Sequence, residues 1–300
     1  MPGALLSSPD VPPAELPPGV TAIQQDPLTA VRPADVPAAP AVQSAHAEAP
    51  TARPAGEGES EDKTSVDLLT NARAISGELR KLFQAFTRES RRGHPPEQRL
   101  QDLYRKVRFL AATAGLTGHA QAAQLATVFE ALLYVLIENP ARISPSVLRT
   151  IANLVDLVEL LFQQAGEGRP DAPLSAQVLV VDDDPLANRL VVSALRQAQL
   201  QARSTEDPAV GWEWLQREHY DLILLDIEMP GTNGFELCKR LRTLPGYQKT
   251  PVIYVTSHSD FEHRAQSTLS GGDDLIAKPI LPMELAAKVV MHLLKSQMPS

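Results

Sequence analysis

Cysteine is nearly absent from this chain. Cys238 is the only one in 300 residues, which excludes an internal disulfide framework and a cysteine-rich zinc site. Aromatic residues are scarce, at 5%. No apolar run reaches the roughly 18 residues that span a membrane. No region is strongly basic either. Residues 1–62 hold nine acidic and two basic residues, 63–170 hold 10 and 14, and 171–300 hold 17 and 12. The net charge is −8 at neutral pH, so charge gives no reason to expect nucleic acid as a partner. The first residues, Met1–Val11, lack the basic start and sustained apolar stretch of a signal peptide. These absences lead us to expect a cytoplasmic chain without a membrane or nucleic-acid partner.

Proline, by contrast, is abundant and uneven. Twelve of the 26 prolines fall in residues 1–62. That acidic Pro/Ala-rich stretch has few large apolar residues and no helical or strand period. It cannot bury enough surface to offset its ordering entropy, so a disordered tail is expected over 1–62. From 63 to 166 the pattern is helical. Apolar residues recur every three or four positions in four sets, exemplified by Leu79 and Phe86, Leu103 and Leu110, Leu125 and Leu132, and Leu154 and Leu161. Pro95, Pro96, Gly115, Gly118 and Asn139-Pro140 separate them, and Ser144-Pro145 has the form of a cap followed by a first-turn proline. Four amphipathic helices with short links predict an all-α antiparallel four-helix bundle.

Residues 167–175, with Gly168, Pro170 and Pro173, read as a linker. Over 176–297 the pattern changes. Apolar runs at Val178–Val181, Leu222–Leu225, Val252–Val255 and Leu275–Ala277, with a short extra strand at Gln201–Ser204, alternate with helical segments. Continuous apolar strands joined by helices predict an α/β doubly wound parallel sheet of five strands, covered on both faces. Ligand sites in such sheets lie beyond the C-terminal strand ends.

Those ends carry Asp182-Asp183-Asp184, Asp226 followed by Ile227-Glu228-Met229-Pro230-Gly231, Thr256, and Lys278-Pro279. A parallel sheet would bring them to one edge. Two carboxylates ~4 Å apart repel by about 4 kcal/mol at an effective dielectric near 20. A cluster of three calls for a cation or a raised pKa. A hard divalent ion meets the need, and Mg²⁺ is the usual choice beside phosphate. A carboxylate beside Mg²⁺ and a lysine is suited to phosphoryl transfer.

These four motifs, in this order and spacing, resemble the receiver domain of two-component response regulators. The stretches are Val178–Pro185, Asp221–Gly231 with Gly234, Pro251–Thr256, and Ala277–Pro279. The resemblance implies a flavodoxin-like fold. It makes Asp226 the phosphoacceptor and Asp182 and Asp183 the acidic pair that holds Mg²⁺ with Asp226. Glu228 would lend a backbone carbonyl to the metal. Thr256 becomes the switch hydroxyl, Lys278 the partner of the phosphoryl group, and Lys278-Pro279 a cis bond. Leu275 stands where many receivers place an aromatic residue, which argues against the aromatic half of that switch. Glu228 and His258, each two residues past a motif residue, are expected to tune the lifetime of the phosphorylated state.

The helical segment faintly resembles a histidine-phosphotransfer domain around Val107–Gly115, but Arg108 stands at the histidine position. His94 and His119 are expected to be surface residues. Asp184 is read as a helix cap, and Trp212 and Trp214 as facing differently, one of them in the core. The expected function is a response regulator in a phosphorelay. It would be phosphorylated by a histidine kinase or phosphotransfer protein and would act through a downstream protein partner, with the bundle serving docking or homodimerisation. Apart from its own phosphorylation and dephosphorylation it is not read as an enzyme. The alternatives are an active phosphotransfer–receiver hybrid, a phosphate sink, and a Mg²⁺-dependent phosphatase of the haloacid-dehalogenase type. The last leaves the Asp226-x-x-Met-Pro pattern unexplained.

Overall fold

The computed structural model describes residues 57–91, 97–165, 171–257 and 269–298. The tail expected over 1–62 lies outside these residues up to position 56. Its last part belongs to a helix, α1 (Glu57–Arg91). The other helical stripes form α2 (Glu97–Leu116), α3 (Ala120–Glu138) and α4 (Pro145–Gln164). Helix α1 packs on α2 and α4, α2 on α3, and α3 on α4, which closes the four-helix bundle. The expected cap at Ser144 is present: its side chain accepts from the Val147 amide at 3.2 Å, with Pro145 in the first turn. By length and composition α3 is apolar enough to cross a membrane, with mean hydropathy 1.5, despite Gln121, Gln124, Thr127 and Glu130 along it. Here that apolarity serves a core, because α3 packs on several helices at once.

The second half forms a parallel sheet in the order β2-β1-β3-β6-β7. Its strands are β1 (Gln177–Val181), β2 (Gln201–Thr205), β3 (Leu222–Asp226), β6 (Val252–Thr256) and β7 (Asp274–Ala277). A small antiparallel ribbon, β4 (Glu228–Met229) with β5 (Thr232–Asn233), follows β3. The helices are α5 (Pro185–Gln197), α6 (Pro208–Arg217), α7 (Gly234–Leu241) and α8 (Pro282–Gln297). Strands β3 and β6 are buried along their whole length, as continuous apolar runs require. The doubly wound parallel sheet is thus present as expected.

The bundle and the sheet do not stand apart, and their described residues fall in one compact unit. Helix α8 packs on α3 and α4 of the bundle as well as on α5 and the sheet. Ten of its side chains are buried, from Glu284 through Leu294. One apolar cluster runs from Leu103 and Phe129 in the bundle to Val180, Leu195, Leu285 and Val290 beyond it. Part of the expected linker is docked too. Asp171 accepts from the Gln121 amide at the start of α3. The buried Gln124 side chain accepts from the Leu174 amide and donates to the Ala198 carbonyl at 2.8 Å.

Two expectations are corrected. Neither Trp212 nor Trp214 is in the core, because α6 turns Gly211 and Leu215 inward. Both indoles are half-buried and lie beneath arginines, Trp214 under Arg203 and Trp212 under Arg240. His119 is buried, not a surface residue. Its Nε2 donates to the Ala165 carbonyl at 2.6 Å, and its Nδ1 is 3.0 Å from the Thr117 hydroxyl. His94 lies outside the described residues.

A half-buried ion cluster joins β7 to α8. Asp274 bonds the Lys288 ammonium at 2.7 Å and His292 at 3.1 Å. Burial alone would raise the Asp274 carboxyl, but His292 and Lys288 outweigh it and hold it well below the usual carboxylate range. A lowered folded pKa means that this stabilisation is complete above the unfolded value near 4 and is lost as pH falls from there towards the lower folded value. Lys288→Met, which strands the carboxylate, should cost roughly 2–4 kcal/mol at pH 7 in urea unfolding. The stability gap between wild type and Asp274→Asn should narrow steadily as pH is lowered from 5. A gap independent of pH would show that the cluster is not ionic.

Candidate functional site

The site is assembled by strand ends. Strand β1 runs straight into Asp182, which is 2% exposed, and the half-buried Asp183. The next residue turns outward, and Asp184 caps α5 by accepting from the Leu186 amide at 2.8 Å. Its expected role as a cap therefore holds. Strand β3 delivers Asp226, 3% exposed. Thr256 ends β6, fully buried, and its carbonyl accepts from the Lys278 amide at 2.7 Å. The Lys278-Pro279 bond is cis.

Close approach behind Asp226 depends on Gly234. A Cβ at that position would lie 2.1 Å from the Asp226 carbonyl oxygen. Only glycine lets α7 begin this near the strand end, which gives the glycine of the motif a steric reason. Asn233 caps α7 through the Phe235 amide, and Gly231 takes φ +78° in the ribbon turn. Glu228 is exposed, and its amide lies 3.4 Å from Asp226 Oδ1. His258, its expected companion, lies outside the described residues.

One ammonium ties the carboxylates together. Lys278 Nζ is 3.0 Å from Asp226 Oδ2 and 3.2 Å from Asp182 Oδ1. Burial pushes the Asp226 carboxyl above its usual range; Lys278 opposes this and Asp182 adds to it. Burial would lower Lys278, but bonds to Asp226 and Asp182 outweigh it and hold the ammonium above its usual value. Asp182, Asp183 and Asp226 each place a carboxylate oxygen within 4.8 Å of the others'. Asp182 Oδ2 is buried and accepts no hydrogen bond among the described residues. Lys278 Nζ forms an ion pair with that oxygen at 3.0 Å. Three carboxylates whose oxygens lie within 4.8 Å of one another, an all-oxygen set that outnumbers its one cation, fit a hard divalent ion.

Sequence reasoning missed Asn188. Its Nδ2 donates to the Asp182 carbonyl at 2.6 Å and so holds the backbone of the acidic pair. The available signal was a polar residue on the buried stripe of α5, beside Ala187 and Val191. Leu275 is half-buried and in register with Tyr254. The Tyr254 hydroxyl is 2.8 Å from Ser270 Oγ, and its ring meets Phe235 edge-on.

Residues 178–290 match the family model of the response regulator receiver domain. The transcriptional regulatory protein SpaR of Bacillus subtilis is 38% identical over 118 residues, which covers 39% of this chain and 52% of SpaR. Protein RcaC of Microchaete diplosiphon is 33% identical over 123 residues, covering 41% of this chain and 19% of RcaC. Among solved structures, the chemotaxis response regulator CheY4 of Vibrio cholerae is 27% identical, with a TM-score of 0.38, covering 39% of this chain and 97% of that one. This chain therefore spans about half or less of these two curated relatives. Residues 178–290 are a response regulator receiver domain.

Removing negative charge from the pocket should stabilise it in the absence of metal. Asp226 has a raised folded pKa, so its ionised form opposes folding at neutral pH. Asp226→Asn should gain on the order of 1 kcal/mol in urea unfolding with chelator present. Gly234→Ala should lose about 1–3 kcal/mol through overpacking against the strand. A neutral Gly234→Ala would contradict the close approach.

Proposed function

We propose that Asp226 accepts a phosphoryl group and that Mg²⁺ is held by the carboxylates of Asp182, Asp183 and Asp226 and the carbonyl of Glu228. The observation that carries this reading is the Lys278 ammonium at 3.0 Å from Asp226, inside a buried acidic pocket at the C-terminal sheet edge. A histidine kinase or phosphotransfer protein is the donor. An Asp226 oxygen attacks phosphorus, the P–N bond of the phosphohistidine breaks, and the imidazole leaves with the electron pair. The product is an acyl phosphate. Mg²⁺, when bound, supplies positive charge to the phosphoryl oxygens. Lys278 supplies a second positive charge to the same group, and the Thr256 hydroxyl bonds a phosphoryl oxygen. The output is a change in binding to a downstream protein, in the cytoplasm, with no enzymatic reaction beyond the chain's own phosphorylation and dephosphorylation.

The hybrid reading, in which the bundle also carries phosphate, has less support. Arg108 is an exposed residue on α2, 3.9 Å from Glu130. Both ring nitrogens of the buried His119 are engaged. Incubation with Mg²⁺ and a small acyl-phosphate donor tests the assignment. Wild type should gain one base-labile phosphoryl group by intact mass, and Asp226→Ala none. An acid-labile, base-stable adduct that persists in Asp226→Ala would move the acceptor to a histidine.

A further inference from the structure

Helix α8 is tied to the site at one end of a short joint and to the bundle at the other. The joint begins at Lys278, which has little slack. Its amide is bonded to Thr256 and its ammonium to Asp226 and Asp182. Six residues on, Glu284 is 5% exposed in the first turn of α8. Its Oε1 accepts from Ser146 Oγ at 2.6 Å; the Thr150 hydroxyl, 3.2 Å away, shares its one proton between this oxygen and the Ser146 carbonyl at 3.1 Å, and both residues are on α4. A buried carboxylate is costly to leave unbonded, so these two hydroxyls hold the end of α8 against the bundle.

The surroundings of this contact are uneven. Beside the joint is a cleft of about 600 Å³, lined in part by Leu281, Pro282 and Met283 with Tyr134, Leu190 and Ala194. The joint therefore has room to move. The edge of the interface at Gln124 is pinned on both sides, to Leu174 and Ala198. One edge is fixed, and the other is held by a carboxylate and two hydroxyls beside open space.

We propose that Ser146, Thr150 and Glu284 form a latch that couples the occupancy of Asp226 to the seating of the bundle and favours the unphosphorylated site. The inference rests on Asp226 being the phosphoacceptor. A phosphoryl group on Asp226 adds charge and volume where Lys278 Nζ now lies. The displacement passes along Pro279–Leu281 into the first turn of α8. Because Glu284 in its first turn is bonded to Ser146 and Thr150, that turn cannot shift without loosening its hold on α4. Such coupling is reciprocal: a bundle that holds α8 more weakly must let the site bind a phosphoryl group more tightly. Ser146 and Thr150 are positioning residues in this scheme.

Calorimetric titration of the full chain with beryllofluoride and Mg²⁺, a non-covalent phosphoryl mimic, tests the latch. Ser146→Ala/Thr150→Val should bind about 5-fold tighter than wild type, or about 1 kcal/mol. Ser146→Thr/Thr150→Ser keeps both hydroxyls and should stay within about 2-fold of wild type on the same scale. Leu103→Ala, a core change on α2, should lower stability and leave the affinity alone. Unchanged or weaker binding by the Ala/Val variant overturns the latch. A second measurement needs no variant: beryllofluoride should reduce amide hydrogen-exchange protection over residues 147–151 of wild type, and unaltered protection there also overturns it. If wild type binds no beryllofluoride, the phosphoacceptor reading fails and takes this inference with it. Wild-type binding without an effect of the latch removes the latch alone.

Discussion

Three carboxylates converge on one ammonium at the end of the sheet, and the fold around them is arranged to tolerate that imbalance. Lys278 contacts two of the carboxylates directly. Its own position is set by a hydrogen bond to Thr256 and by the strand it extends. Burial keeps Asp226 above its normal range, and the neighbouring Asp182 adds to it. An arrangement of this kind is unfavourable when empty and favourable when a cation and a phosphoryl group enter. Stability and ligand affinity therefore oppose each other at the same atoms.

The same lysine begins the segment that leads into α8, which has ten buried side chains. Helix α8 is apolar enough to be covered on every side, and the sheet can cover only one. The bundle supplies the rest through α3 and α4. A fully buried Leu or Val side chain is worth roughly 1.5–3 kcal/mol, so exposing the outer face of α8 would remove much of a typical domain's net stability. The helical segment is thus part of the receiver's core, and the two cannot be treated as beads on a string. The partners that specify how they dock are polar: Gln124, Asp171 and Glu284.

Much of this was legible in the sequence because it is local. Helical stripes appear in the three-to-four-residue spacing of apolar side chains, and strands in short continuous apolar runs. Ser144-Pro145 and Asp184-Pro185 mark helix starts through contacts within three residues. The acidic pair, Asp226, Thr256 and Lys278 could be placed at one edge because a parallel sheet aligns its strand ends. The orientation of Trp212 and Trp214 was misread, since helical spacing shows which residues share a face but not which face turns inward. Asn188 was missed because a single polar residue on an apolar stripe gives no sign of which backbone it will hold.

The sequence by itself determined the elements, their order and the chemistry collected at the strand ends, since each depends on neighbours a few residues apart or on a repeated topology. Only the tertiary structure decided that His119 is buried against Ala165, that Gln124 bridges Leu174 and Ala198, and that Ser146 meets Glu284. The partners in those bonds are 46, 50, 74 and 138 residues apart. No periodicity encodes such pairings. They follow from which apolar faces are packed together, and the polar groups caught between those faces must then find partners there.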